Sequence, residues 1–325
     1  MHWVTMRSGR LSGVVALVVT ALAASGGAGG TPSASSIKVC GAAGPYWPTM
    51  TLALQGASAW VACKEQSRVI RVDTRTGKTL KSVRLRAQAI AVASGFGSVW
   101  ALDSSATLYR LKPSSARIVK RVGLPARAPY NIWIGGGSVW VADDQGAEVL
   151  RVSPRSNKVV ARVQVGDGPA DMAFSDGTAW VVNHRDKVLS QISLGTNRAR
   201  KLVVLPGDAP ERMVWSRGSL WITGRGTDLL KVSPAGGSLE ATIEIGASGI
   251  DIAADGDNLW VPTRSAAVDP SGFPTMDALK RVSTSSGAVS TVFRPTSRFD
   301  VHGLVARSGI VWIADNTRGR LYRLP

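Results

Sequence analysis

Residues 136–183 read Gly136-Gly137-Ser138-Val139-Trp140-Val141-Ala142-Asp143, Glu148-Val149-Leu150-Arg151-Val152-Ser153-Pro154, Lys158-Val159-Val160-Ala161-Arg162-Val163-Gln164-Val165-Gly166, and once more Thr178-Ala179-Trp180-Val181-Val182-Asn183. Each segment is apolar or alternating over five to nine residues, as half-buried strands are. Gly, Pro, Ser and Asn punctuate the joints. Tryptophan in this setting recurs at Trp60, Trp100, Trp140, Trp180, Trp221, Trp260 and Trp312, with spacings of 40, 40, 40, 41, 39 and 52. A fixed period near 40 residues with four strands per repeat marks a propeller blade. Seven anchors predict an all-β, seven-bladed β-propeller of four-stranded blades. In each blade strand A follows a Pro or small residue, strand B holds the Trp, strand C is apolar, and strand D follows a Gly/Asn turn.

That C–D turn occurs six times, from Asp73-Thr74-Arg75-Thr76-Gly77 to Ser283-Thr284-Ser285-Ser286-Gly287. Gly and Asn supply the positive φ such hairpins need. The seventh copy is missing, because the chain ends at Pro325 after a strand C. Ser36-Ile37-Lys38-Val39-Cys40-Gly41 matches the end of strand D elsewhere. Residues 36–40 are therefore expected to close the ring as the outer strand of the last blade. This places Cys40 on the face where strand B of blade one delivers Cys63. One disulfide there would staple the closure, while two small buried hydrophobes are the alternative.

The first 30 residues follow another pattern. Arg7 and Arg10 precede an apolar run of about 14 residues and the small residues 25–30, with Ala21-Leu22-Ala23 as a cleavage motif. The run falls short of the ~20 residues of a membrane-spanning helix. A signal peptide over 1–30, cleaved near 23–28, is expected, with a short tail at 31–35 and one domain over 36–325. The reading is a monomer exported by a bacterium (secreted or extracytoplasmic), with no transmembrane segment after cleavage. The net charge of +17 falls to about +15 without the two signal arginines. Such a balance favours DNA, acidic glycans and other polyanions, or reflects a preference for arginine spread over all blades. Both readings stand.

No G-x-S-x-G, H-E-x-x-H, P-loop or dinucleotide fingerprint occurs. Outside the signal the histidines are His184 and His302, placed on blades four and seven, so neither a metal site nor a cofactor is expected. The starts of the A strands ring a central channel: Thr49, Ala89, Tyr130, Ala170, Glu211, Gly249 and His302, with Asn131, Asp171, Arg212 and Asp251 just behind. The predicted ligand site is Tyr130, Asn131, Glu211 and Arg212, joined by His184, and its ligand is an unidentified small molecule, peptide or cell-envelope polymer. Asp103, Asp143, Asn183 and Asp315 follow the Trp and read as turn-forming residues. Trp133 and Trp215 read as core. Residues 263–279 form a long B–C loop in blade six, a common carrier of function.

At Trp180-Val181-Val182-Asn183, preceded by Val163-Gln164-Val165-Gly166 and Gly168-Pro169, the chain resembles the YVTN repeats of exported bacterial propellers, a group that also holds NHL-like propellers and streptogramin (virginiamycin B) lyases. The lyases look like seven-bladed propellers with a Pro-His-Gly-Ile-type start to strand A and nearby carboxylates. Asp300-Val301-His302-Gly303-Leu304 has that spacing, and Asp315 lies near the second carboxylate's place. The resemblance implies His302, Asp300 and Asp315 as catalytic residues, Tyr46 as an active-site tyrosine, and Mg2+ as the cofactor of that lyase alternative alone. The family's partner histidine falls on Gly249 in this count.

Overall fold

The computed structural model describes residues 35–41, 50–175, 177–207, 209–268, 274–296 and 299–324. The signal segment, Tyr46 and Thr49 lie outside them, as do the side chain of His302 and the middle of the 263–279 insertion. The described residues form seven antiparallel sheets in a ring, and no helix occurs among them. Blade four is typical: Pro169–Ser175, Thr178–Asn183, Val188–Ser193 and Ala199–Val204 are its strands A to D, paired in that order. The chain is a seven-bladed β-propeller.

The tryptophans explain the wedge. Strand B is the second strand of each blade and is enclosed between neighbouring blades; Trp60, Trp100, Trp140, Trp180 and Trp221 are at most 1% exposed. Each large indole fills the space between two blades that diverge from the axis, so seven copies of one residue set one repeated angle. The last blade takes its outer strand from the chain's beginning. Ser35–Lys38 pairs antiparallel with Arg320–Leu324, Ile37 standing opposite Leu321. The backbone N–H groups of Val39 and Cys40 both donate to Gly319 O. Cys40 and Cys63 are joined by a disulfide, which ties this closing segment to blade one.

A second periodic element runs alongside the tryptophans. In blades one to three an arginine on strand C stands opposite the Trp: Arg71, Arg110 and Arg151. Their guanidinium carbons lie 5.8, 5.2 and 5.3 Å from the indole centroids. Each Nε donates to the serine two residues before the Trp, namely Ser58, Ser98 and Ser138. Each Nη1 crosses to the C–D turn of the next blade: to Ser114 O, Pro154 O and Leu194 O. The turn asparagines Asn157 and Asn197, both at positive φ, add their side-chain oxygens as acceptors. Part of the basic excess is therefore mortar between blades.

Blade six departs from the pattern in two ways. Its strand A is broken into Ser248–Gly249 and Ala253–Asp255, because Pro262 on the partner strand has no N–H to donate. The insertion is a hairpin rather than a loop. Strand B runs on to Val268 and strand C begins at Pro274, with Thr263 opposite Ala278 and Arg264 opposite Met276.

Candidate functional site

The A strands of all seven blades surround a central cavity of about 670 Å3. Pairing with strand B fixes which residues share a level. Ala53, Ala93, Trp133, Ala173, Val214, Ala253 and Val305 stand opposite the seven tryptophans. Three residues earlier come Met50, Ile90, Tyr130, Ala170, Glu211, Ile250 and His302. The sequence count was thus one residue short in blades one, two and six: Met50, Ile90 and Ile250 hold the levels assigned to Thr49, Ala89 and Gly249. A register shift lies near the start of strand A in blades two to five and seven, for instance between Ala89 and Ala91, and none occurs in blade one, so the shift does not account for the miscount. Blade six offers Ile250 at the level of His302.

One residue nearer the Trp level, polar side chains reach across to the next blade. Thr51 Oγ1 accepts from the N–H of Val92 at 2.9 Å. Asp171 Oδ2 accepts from Met213 N–H at 2.8 Å, and its Oδ1 accepts from Trp133 Nε1 at 2.6 Å and from Met172 N–H at 2.8 Å. Asp251 accepts from Ile252 N–H and from the N–H of Leu304 in blade seven. Between the two aspartates lies Arg212, whose Nε is 4.0 Å from Asp251 Oδ1 and whose Nη1 donates to Glu211 O. Among the described residues its other N–H groups make no hydrogen bond.

Burial pushes the Asp171 carboxyl up to about 6, against the pull of Arg212 and two backbone N–H groups. Burial raises Asp251 as well, again opposed by Arg212. Burial pulls the Arg212 guanidinium down, but the Tyr130 hydroxyl, Asp251, Asp171 and Glu211 reverse this and hold it above its ordinary value. For an acid whose folded pKa is raised, the unfolded chain releases its proton first. From about pH 4 to pH 6, Asp171 therefore lowers stability as pH rises. We expect the urea midpoint of Asp171→Asn to change less with pH across this window than that of the wild type; equal slopes would show that Asp171 titrates normally.

The structure brings Tyr130, Asn131 and Arg212 together on the cavity wall. Glu211 turns aside, pairing with Arg225 at 2.9 Å. His184 packs on Gly168 in the B–C loop of blade four and does not line the cavity. His302 sits in Val301–Arg307, between lining residues of that strand and its start. Asp315 is fully buried; its carboxylate accepts from the N–H groups of Asp300 and Thr317 and from Arg318 Nη1. Asp103 and Asp143 likewise accept from loop N–H groups. Trp133, read as core, is a half-buried wall residue. Its signal is an aromatic where the matching A strands carry alanine or valine.

No protein-family model matches the chain, and no curated protein sequence matches it. Solved structures do. One is a catalytically inactive histidine-to-alanine variant of virginiamycin B lyase from Staphylococcus aureus with quinupristin, at TM-score 0.74 and 16% identity over 90% of this chain and 98% of that one. Another is hydrazine synthase of Kuenenia stuttgartiensis, at TM-score 0.72 and 13% identity over 85% and 95%. At such identities the likeness is one of fold.

Proposed function

We propose that this chain is an exported, non-catalytic binding module that takes a small acceptor-bearing ligand, such as a carbonyl- or carboxylate-containing molecule or peptide, into the central cavity. The observation that supports this reading is Arg212: a half-buried guanidinium on a wall of mixed polar and apolar residues, with N–H groups for which no described residue is an acceptor. Tyr130 and Asn131 add a hydroxyl and an amide beside it, while Ile132, Met172 and Met213 offer apolar contact.

The test is titration of the protein with N-acetyl-leucine, N-acetyl-phenylalanine and their dipeptides, following the Trp133 indole N–H by NMR. Saturable shifts are expected, with affinity about tenfold lower in Arg212→Gln and lower again with Tyr130→Phe, since a hydrogen bond to a charged group contributes ~1.5–3 kcal/mol. Unchanged affinity in both variants would remove the reading. A second reading, a lyase of the virginiamycin B type using His302 with Asp300, is favoured by the level of His302 beside Tyr130 and Glu211 and by the shared fold. The same protein incubated with a cyclic depsipeptide and Mg2+ separates the two: ring opening lost in His302→Ala replaces binding with catalysis.

A further inference from the structure

The arginine bridge made from blades one to three to their neighbours is not made at the seam of the ring, where a groove lies. Blade seven has its own arginine opposite the Trp: Arg323 faces Trp312. The next turn around the ring is that of blade one, but the Arg323 side chain makes no hydrogen bond or ion pair to it or to any other described residue. The turn of blade one has Gly77 at the positive-φ position; its lack of a side-chain acceptor is not enough to account for this, since Ala116 stands there in blade two and Arg71 still reaches Ser114 O. The Gly77 backbone lies against Ile37 of the closing strand.

A cavity of about 860 Å3 is left between them, lined by Arg323, by Arg75 of the blade-one turn and by Arg307 at the end of the last strand A. Hydroxyls of Ser35, Ser36, Thr74, Thr76 and Ser308 surround it, Trp312 and Ile310 form an apolar wall, and no described lining residue is a carboxylate. Arg307, like Arg323, has no ion pair among the described residues. The acid of the blade-one turn, Asp73, is committed elsewhere: its Oδ1 accepts from the N–H groups of Arg75 and Thr76, and these bonds lower its pKa. Three guanidiniums sharing one groove repel each other, and an oxyanion with several acceptor oxygens relieves that repulsion while filling their forks.

We infer that the seam groove, on the face opposite the A-strand starts, is a binding site for a phosphate or sulfate group, either free or carried on a polymer. The groove shares Leu54 and Arg307 with the lining of the central cavity, whereas Arg212, Tyr130 and Asn131 do not line the groove. The rest of the basic surface is a different object. The D strands of blades one to four each hold two cations and no acid, but they are exposed and spread along separate edges, as edge strands often are.

The test is calorimetric titration of the full chain at low salt with inorganic pyrophosphate and with a polyphosphate of defined length. The wild type is expected to bind. Arg307→Gln/Arg323→Gln should lose at least about tenfold, whereas Lys120→Gln/Arg121→Gln, with the same charge removed from the rim of blade two, should lose less than about twofold. Arg212→Gln should bind like the wild type. If pyrophosphate binds as well as polyphosphate per site, the ligand is a free oxyanion; if polyphosphate alone binds, it is polymer-borne. Equal losses in the two double variants, or no binding by the wild type, overturn the inference. A Tm of Arg307→Gln/Arg323→Gln near that of the wild type confirms that any loss is not unfolding.

Discussion

Breaking the Cys40–Cys63 disulfide lowers the free energy of unfolding by about 3 kcal/mol, the loop-closure value for a separation of 23 residues. The expected fall in Tm is roughly 5–10 °C for a chain of this size. The other ties of the closing strand are noncovalent: Arg320 Nε donates to Ser36 Oγ, and Ile37 and Val39 pack on the core beside Trp312. Four residues pair with the last blade, and the N–H groups of Val39 and Cys40 share one acceptor, Gly319 O. The disulfide is the covalent link from that strand to blade one, so its loss leaves the strand free to peel and expose the edge of blade seven. Gly319 guards the same joint: at φ +61 it passes so close to Cys40 O and Gly41 O that a Cβ would stand 2.4 and 2.5 Å from them. Urea melts of Cys40→Ala/Cys63→Ala and of Gly319→Ala should both show early transitions, the second by backbone collision. A midpoint unmoved by removal of the cysteines would mean that the strand pairing alone closes the ring.

The blade count and the closure were legible because both rest on spacing: seven tryptophans at one period and an outer strand missing from one end. What lies on the channel wall was legible only in part. Tyr130, Asn131 and Arg212 were placed correctly because blades three to five begin strand A with Pro129, Pro169 and Pro210, a common reference point. Blades two and six have no proline there, and in blade one Pro48 stands 12 residues before its Trp instead of 11, so the count in these three blades fell a residue short. The 263–279 insertion was visible by length, but its state was not, since cross-strand pairing such as Thr263 with Ala278 leaves no short-range mark. Asp171 shows the deeper limit. Its three donors come from Trp133, Met172 and Met213, which belong to three blades, and contacts between repeats are written in no single repeat. The arginine ladder was available in the sequence, as Ser-x-Trp followed 10 or 11 residues later by Arg at 71, 110 and 151. It was obscured because a scattered basic residue reads first as surface charge.

That ladder carries the second large effect. Trp140→Ala should cost about 3–5 kcal/mol, as expected for removing a fully buried indole that cannot be replaced by collapse of a β-wedge. Arg151→Ala should cost about 2–3 kcal/mol, because it removes a cation from the ring face and leaves Leu194 O and Asn197 Oδ1 on blade four without their donor. The two residues touch, so the losses should not add: a double-mutant cycle by urea denaturation should return a coupling of about 1 kcal/mol. Arg151→Lys separates the two roles. An ammonium can sit over the indole, as Lys231 does over Trp221, but it cannot hold Ser138, Gly136 and the blade-four turn at once as the guanidinium does. An intermediate stability for the lysine variant assigns the larger share to the bridge between blades; wild-type stability would assign all of it to the ring contact, and the blades would then be joined by apolar packing alone.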